Sequence, residues 1–234
     1  MRNPIILALD VATSEQALPL ARQLAPLLGA IKIGSELFTA SGPEIVRQMR
    51  DLGLNVFLDL KFHDIPNTVS KAVASAVQLD VQMLTIHTGG GSEMMKAAEL
   101  SAKENAAKLG KNPPLVLGVT ILTSLEEADL PQIGFGGNAV ENAVRLARLS
   151  QAAGLRGVVA SPLEIAPIRE ACGSELVILT PGIRPAGSDA GDQRRTMTPR
   201  EAIRAGADYI VVGRPITGAA DARSAARRIL DEMS

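Results

Sequence analysis

Apolar residues of this chain gather in eight short runs, at residues 5–9, 30–33, 55–60, 83–86, 115–119, 157–160, 176–179 and 209–212. Most of these runs are continuous rather than alternating. A strand covered on both faces has no polar side to show, so the pattern predicts a parallel sheet wrapped by helices. The segments between the runs carry apolar residues three and four apart. One begins at Ser14, with Glu15 and Gln16 in its first turn and Leu18, Ala21, Leu24 and Leu28 recurring along one side. Further helices are predicted over 43–52, 66–79, 92–109, 138–153, 162–171, 199–205 and 217–233, with Gly53, Gly110 and Gly154 as stops. Eight strand-then-helix units in this order predict an α/β fold, a (β/α)8 or TIM barrel. No linker rich in Pro, Gly or Ser divides the chain, so a single domain over 1–234 is expected.

Composition narrows the partners. Lys plus Arg number 24 against 25 Asp plus Glu, which gives no basic footprint for nucleic acid. Aromatics are 2% of the chain, too few for base-stacking platforms. The single cysteine, Cys172, excludes an intramolecular disulfide and fits a reducing compartment. Two histidines and that cysteine make a poor zinc set without carboxylates, and no metal site is expected. No apolar run approaches 18 residues, and the N-terminus leads straight into the first strand without a signal peptide. A cytoplasmic protein without a membrane partner is expected.

Candidate chemistry lies at the ends of the predicted strands, where barrels of this kind place their sites. Those ends carry Asp10, Lys32, Asp59 with Lys61, His87, the stretch 120–124, Pro181-Gly182 and Gly213-Arg214. Singly, each has a structural alternative: Asp10 as a helix-cap partner, His87 as a core histidine, Asp59 and Lys61 as a buried ion pair. Together they point to a site. Asp59 and Lys61 are two apart and so share one face of a strand. Asp64 follows on the next loop, giving Lys61 a second acid, where one counter-ion would suffice. Gly213-Arg214 after the last strand suits a phosphate: a close-approaching backbone followed by a forked donor. The irregular stretch 181–198 is long for a compact barrel. It reads as a lid in which Arg184 and Gln193 reach an anion, the alternative being a solvated loop.

With these residues in view, the chain resembles the orotidine 5'-phosphate decarboxylase family over essentially its whole length. The sequence from Asp59 through Lys61, Asp64 and Ile65 to Thr68 is similar to that family's Asp-x-Lys-x-x-Asp-Ile-x-x-Thr signature without departure. Leu9-Asp10, Ile31-Lys32-Ile33-Gly34, Thr180-Pro181-Gly182-Ile183-Arg184, Gly191-Asp192-Gln193 and Val212-Gly213-Arg214-Pro215 match it in order.

The resemblance implies conversion of orotidine 5'-phosphate to UMP and CO2 without a cofactor. It implies that Lys61 is the proton donor, within a charged array of Lys32, Asp59 and Asp64. Asp10 and Lys32 would hold the ribose, and Thr123 and Ser124 would face the pyrimidine. Arg184, Gln193, Gly213 and Arg214 would hold the phosphate, and Pro181 would be a further substrate-binding residue. Asp64 and Thr68, with Ile65 between them, would reach the substrate from the second subunit of a homodimer. The residue types suit the chemistry. Losing CO2 from C6 leaves a poorly delocalised carbanion, which needs a cation beside it and then a proton. The rival reading is a Mg2+-dependent enediolate enzyme on a related barrel. It would want a carboxylate for the metal near the second strand end, where this chain has Lys32.

Overall fold

The computed structural model describes residues 3–185 and 196–233. Eight parallel strands close into a barrel in chain order. They are β1 (Ile5–Ala8), β2 (Ala30–Gly34), β3 (Val56–Phe62), β4 (Met83–His87), β5 (Leu115–Val119), β6 (Gly157–Val159), β7 (Val177–Thr180) and β8 (Tyr209–Val212). The helices outside it are α1 (Ser14–Leu24), α2 (Ser35–Ser41), α3 (Glu44–Asp51), α4 (Pro66–Gln78), α5 (Gly91–Lys108), α6 (Ala139–Ala152), α7 (Ile165–Cys172), α8 (Pro199–Ala205), α9 (Arg214–Thr217) and α10 (Ala222–Met233).

The continuous apolar runs conceal an alternation. Ile5, Leu7, Ile31, Ile33, Val56, Leu58, Leu84, Ile86, Ile178 and Ile210 pack in the large cluster between strands and helices. Their neighbours Ile6, Ala8, Ala30, Phe57, Met83, Leu117, Leu179, Tyr209 and Val211 form a second cluster. This is the filled barrel interior, because successive strand residues face opposite ways. Both faces are buried, so both are apolar. The alternation also places Lys32 on the inner face above Ala30, and Asp59 above Phe57.

Local capping agrees with the predicted starts. Thr13 accepts from the Gln16 N–H ahead of α1, Asn138 and Glu141 form a capping box for α6, and Thr198 and Glu201 do the same for α8. Pro66 opens α4 in the position where a missing N–H costs nothing. Cys172 is buried at the end of α7, and burial pushes its thiol pKa up.

Three expectations need correction. The 43–52 helix is preceded by α2, a two-turn element whose polar residues gave no periodic signal. The single closing helix over 217–233 is instead α9 and α10, separated at Gly218 to Asp221, where Gly218 and the exposed Asp221 interrupt the spacing. The third strand runs two residues further than expected, to Phe62, and is irregular near its end.

Candidate active site

Strand β3 sets up the site. It pairs with β4 as Phe57 to Met83 and Leu58 to Leu84, and next as Phe62 to Ile86. Three residues of β3, Asp59 to Lys61, thus stand against one of β4, Thr85. Extra residues in one strand bend it and re-aim its side chains. Lys61 carries the strain: its φ is 50°, a left-handed backbone that costs an ordinary L-residue roughly 1–2 kcal/mol. The expected neighbourhood of Asp59 and Lys61 therefore exists, but a bulge produces it rather than a regular pleat.

Four charges make a chain across three strand ends. Lys32 Nζ lies 2.8 Å from Asp10 Oδ1 and more loosely, at 3.7 Å, from Asp59 Oδ2. Lys61 Nζ donates to Asp59 Oδ1 at 2.9 Å. Within one chain the lysine between two carboxylates is thus Lys32, whereas Lys61 touches Asp59. The Asp59 and Lys32 side chains are 12% and 11% exposed, so their charges are largely out of water and depend on one another. Gly34 leaves room for this pairing, because a Cβ there would stand 3.0 Å from Lys32 Nζ.

A cavity of about 490 Å³ opens over the array. Asp10, Lys32, Asp59, Lys61, Thr123, Pro181, Arg184, Gly213 and Arg214, all named above as candidates, line it. The first half of the barrel supplies the acid and lysine chain. The second half supplies an apolar wall, including Ile121, Leu122, Val159, Ala160 and Leu179, together with both arginines. Ile121 and Leu122 fall in the 120–124 stretch already noted, whereas Val159, Ala160 and Leu179 escaped the sequence reading because a cavity wall and a packed core look alike as sequence. Ser124 does not line the cavity, although its neighbour Thr123 does.

The ends of the 181–198 stretch are joined. Ile183 bridges Met197 in parallel, and the Arg184 N–H donates to the Met197 carbonyl at 2.9 Å. Arg184 Nη1 also donates to the Ile183 carbonyl. Gln193 and the Gly191-Asp192 pair lie outside the described residues. Helix α9 begins at Arg214 but is only one turn long, so any anion affinity here rests on Arg214 and the close backbone at Gly213.

Asp64, Ile65 and Thr68 stand apart from the cavity. All three are exposed, and Ile65 keeps 65% of its surface despite being apolar. Asp64 Oδ1 accepts from the Ile65 N–H at the start of α4. Beside this loop the rings of His63 and His87 lie 5.3 Å apart. Burial pushes the His87 pKa below its usual range, and His63 and Lys61 act in the same direction against Asp59. Thr85 was not singled out from sequence. The available signal was a lone hydroxyl inside an apolar run.

Among the described residues no group of three or more His, Cys, Asp or Glu side chains is placed to hold a metal ion, and no helix is long and apolar enough to cross a membrane.

A family model described as Orotidine 5'-phosphate decarboxylase / HUMPS family matches residues 3–229. The orotidine 5'-phosphate decarboxylase of Sodalis glossinidius is 51% identical over 231 residues, covering 99% of this chain and 90% of that one. That of Moorella thermoacetica is 52% identical over 233 residues, covering 99% and 92%. Among solved structures, orotidine 5'-phosphate decarboxylase from Lactobacillus acidophilus superposes with a TM-score of 0.88 at 35% identity, covering 99% of each chain. The chain belongs to the orotidine 5'-phosphate decarboxylase / HUMPS family.

Proposed function

We propose that this chain converts orotidine 5'-phosphate to UMP and CO2, a step of pyrimidine nucleotide synthesis, with Lys61 as the proton donor. Relatives about half identical over nearly the whole chain carry that reaction in their names. The observation that carries the assignment of roles is the Asp10–Lys32–Asp59–Lys61 chain lining the same cavity as Arg184 and Arg214.

The C6–carboxylate bond breaks and its electron pair stays on C6 as CO2 leaves. The Lys61 ammonium lies beside that pair, stabilises it and transfers a proton to C6. Solvent then restores the ammonium. Asp59 would sit near the departing carboxylate. Two like charges about 4 Å apart repel by roughly 4 kcal/mol at an effective dielectric of about 20, and this repulsion vanishes as CO2 becomes neutral. The four charges from one chain cancel. Asp64 from the second subunit of a homodimer would leave the array with one net negative charge, which makes the substrate carboxylate the unwelcome group and the developing ammonium–carbanion contact the favoured one. The exposure of Asp64, Ile65 and Thr68 outside their own cavity supports this shared site. Asp10 and Lys32 would hold the ribose hydroxyls and Thr123 would face the pyrimidine. Arg184, Arg214, Gly213 and Gln193 would take the phosphate, whose binding energy can hold the array in place for a bond it does not touch.

A turnover assay with orotidine 5'-phosphate, following the change in pyrimidine absorbance, tests the reading. Turnover should proceed without added metal and be indifferent to EDTA. Absence of turnover would overturn it. Loss in EDTA with recovery in Mg2+ would point instead to an enediolate enzyme.

A further inference from the structure

Strand β4 contributes one residue, Thr85, opposite the Asp59-Leu60-Lys61 bulge, and that residue is fully buried. A bulge takes backbone groups off the sheet ladder, and a buried N–H then needs another acceptor. The Lys61 N–H finds it in Thr85 Oγ1, at 2.9 Å. The same oxygen lies 3.0 Å from Asp59 Oδ1. Proton directions are fixed by chemistry: an N–H only donates and an ionised carboxylate only accepts, so the hydroxyl accepts from Lys61 and donates to Asp59. Lys61 Nζ returns to that same Asp59 oxygen at 2.9 Å. The result is a closed ring of three hydrogen bonds: the Lys61 backbone to Thr85, Thr85 to Asp59, and the Lys61 ammonium to Asp59. Both the strained backbone of Lys61 and the tip of its side chain are thereby referred to one carboxylate oxygen.

We propose that Thr85 is a positioning residue: its hydroxyl holds Lys61 in the left-handed conformation that aims the ammonium into the cavity, and fixes the Asp59 oxygen against which that ammonium is set. The inference rests on the reading of Lys61 as the proton donor. Valine has the shape of threonine without the hydroxyl. Thr85→Val therefore keeps the packing, strands the Lys61 N–H and removes one donor from Asp59. Thr85→Ser restores the hydroxyl.

The test compares the full-length wild type, Thr85→Val and Thr85→Ser with orotidine 5'-phosphate, alongside hydrogen exchange of the Lys61 amide in the ligand-free proteins. In Thr85→Val, kcat should fall by about ten- to a hundredfold, the range for a lost buried hydrogen bond. KM should change little, because Arg184 and Arg214 are untouched. Thr85→Ser should recover kcat to within about threefold of wild type. The Lys61 amide should be protected in wild type and Thr85→Ser and exchange freely in Thr85→Val. A Thr85→Val enzyme with wild-type kcat, a Thr85→Ser enzyme as impaired as Thr85→Val, or a change confined to KM would overturn the proposal. If Thr85→Val does not fold, the wild-type Lys61 amide decides: exchange as fast as that of an exposed loop amide refutes the hydroxyl contact. Lys61→Ala, run in parallel, separates the two ideas. Retained turnover in that variant removes the donor role, while amide exchange still reports on the Thr85 contact.

Discussion

Two clusters in this barrel are built alike, each with one carboxylate between two cations. At the cavity end, Asp59 is paired with Lys61 and Lys32. At the other end of the strands, in the turn between α4 and β4, Asp80 is paired with Arg50 at 2.8 Å and Lys111 at 2.9 Å. Each also includes one of the two non-glycine residues with positive φ among the described residues, Lys61 at 50° and Asp80 at 59°. The likeness ends there. Asp80 is an aspartate in a tight turn, a residue and a place that tolerate the left-handed region. Its Arg50 partner spends another donor on the Leu54 carbonyl, so the cluster ties the turn before β4 to the end of α3 and the loop before β3. Lys61 is a long side chain with no local reason for such a backbone, and its cluster faces a cavity. A charged triad alone therefore does not reveal its use. What separates the two is strain that the local turn does not require, together with open space in front of the charges.

Substitutions at both clusters test the contrast. Lys61→Ala should abolish nearly all turnover with the fold intact, measured by steady-state kinetics and a thermal melt. Retention of more than about a tenth of the wild-type rate, a loss below about 1.4 kcal/mol, would remove the donor role. Lys61→Gly should be as inactive as Lys61→Ala yet more stable by about 1 kcal/mol, because glycine adopts φ of 50° without strain. Equal denaturant midpoints for the two would show that the strain is absent.

The next effect concerns Asp64. Homodimers of Lys61→Ala and of Asp64→Ala, each nearly inactive, are allowed to exchange subunits. With Asp64 acting across the interface, a mixed dimer has one site with both defects and one with neither. Random exchange makes about half of all dimers mixed, so roughly a quarter of sites should recover. Exchange without recovery would return Asp64 to its own barrel. Smaller again is the effect of Arg184→Ala, which should weaken a 5'-phosphorylated ligand far more than the corresponding nucleoside, read as two dissociation constants. Equal losses would detach Arg184 from the phosphate.

The smallest effect belongs to the other cluster. Burial works to raise the Asp80 pKa, but Lys111 and Arg50 prevail and hold it below its ordinary 3.8. A depressed carboxylate stabilises the fold above the unfolded pKa, and that contribution is lost as pH falls through the folded value. Asp80→Asn keeps a residue suited to positive φ, so it should cost about 1 kcal/mol at pH 7 and progressively less below pH 3.8, with kcat unchanged. A fall in kcat would mean that the two ends of the barrel are coupled.

The barrel was legible because strands buried on both faces write themselves as unbroken apolar runs, and because Pro66 and Gly154 sit where helices begin and end. The polar strand ends named most of the cavity. What stayed hidden depends on register. Nothing in Met83-Leu84-Thr85-Ile86 shows that Thr85 faces three residues of its neighbour, since a bulge arises from how two strands fit together and not from either alone. The same holds for the φ of Lys61. Helix α2 was missed because seven residues offer too few turns for a period to emerge. Asp64 was placed beside Lys61 by counting along the chain, whereas its carboxylate turns to the N–H of Ile65, the residue that precedes α4.

The arrangement of the cavity wall also bears on how such a protein can diverge. The acid and lysine chain comes from the ends of β1, β2 and β3, steadied by β4, while most of the apolar wall and both arginines come from β5 to β8 and the loops after them. On the proposed reading, the proton donor and its charged array thus lie in a different stretch of sequence from the arginines that would take the phosphate. Insertions, deletions and exchanges in the loops after β5 to β8 can retailor what is held without disturbing the hydrogen-bonded ring around Asp59, so new ligand preferences are reachable by inheritance of the first half and variation of the second.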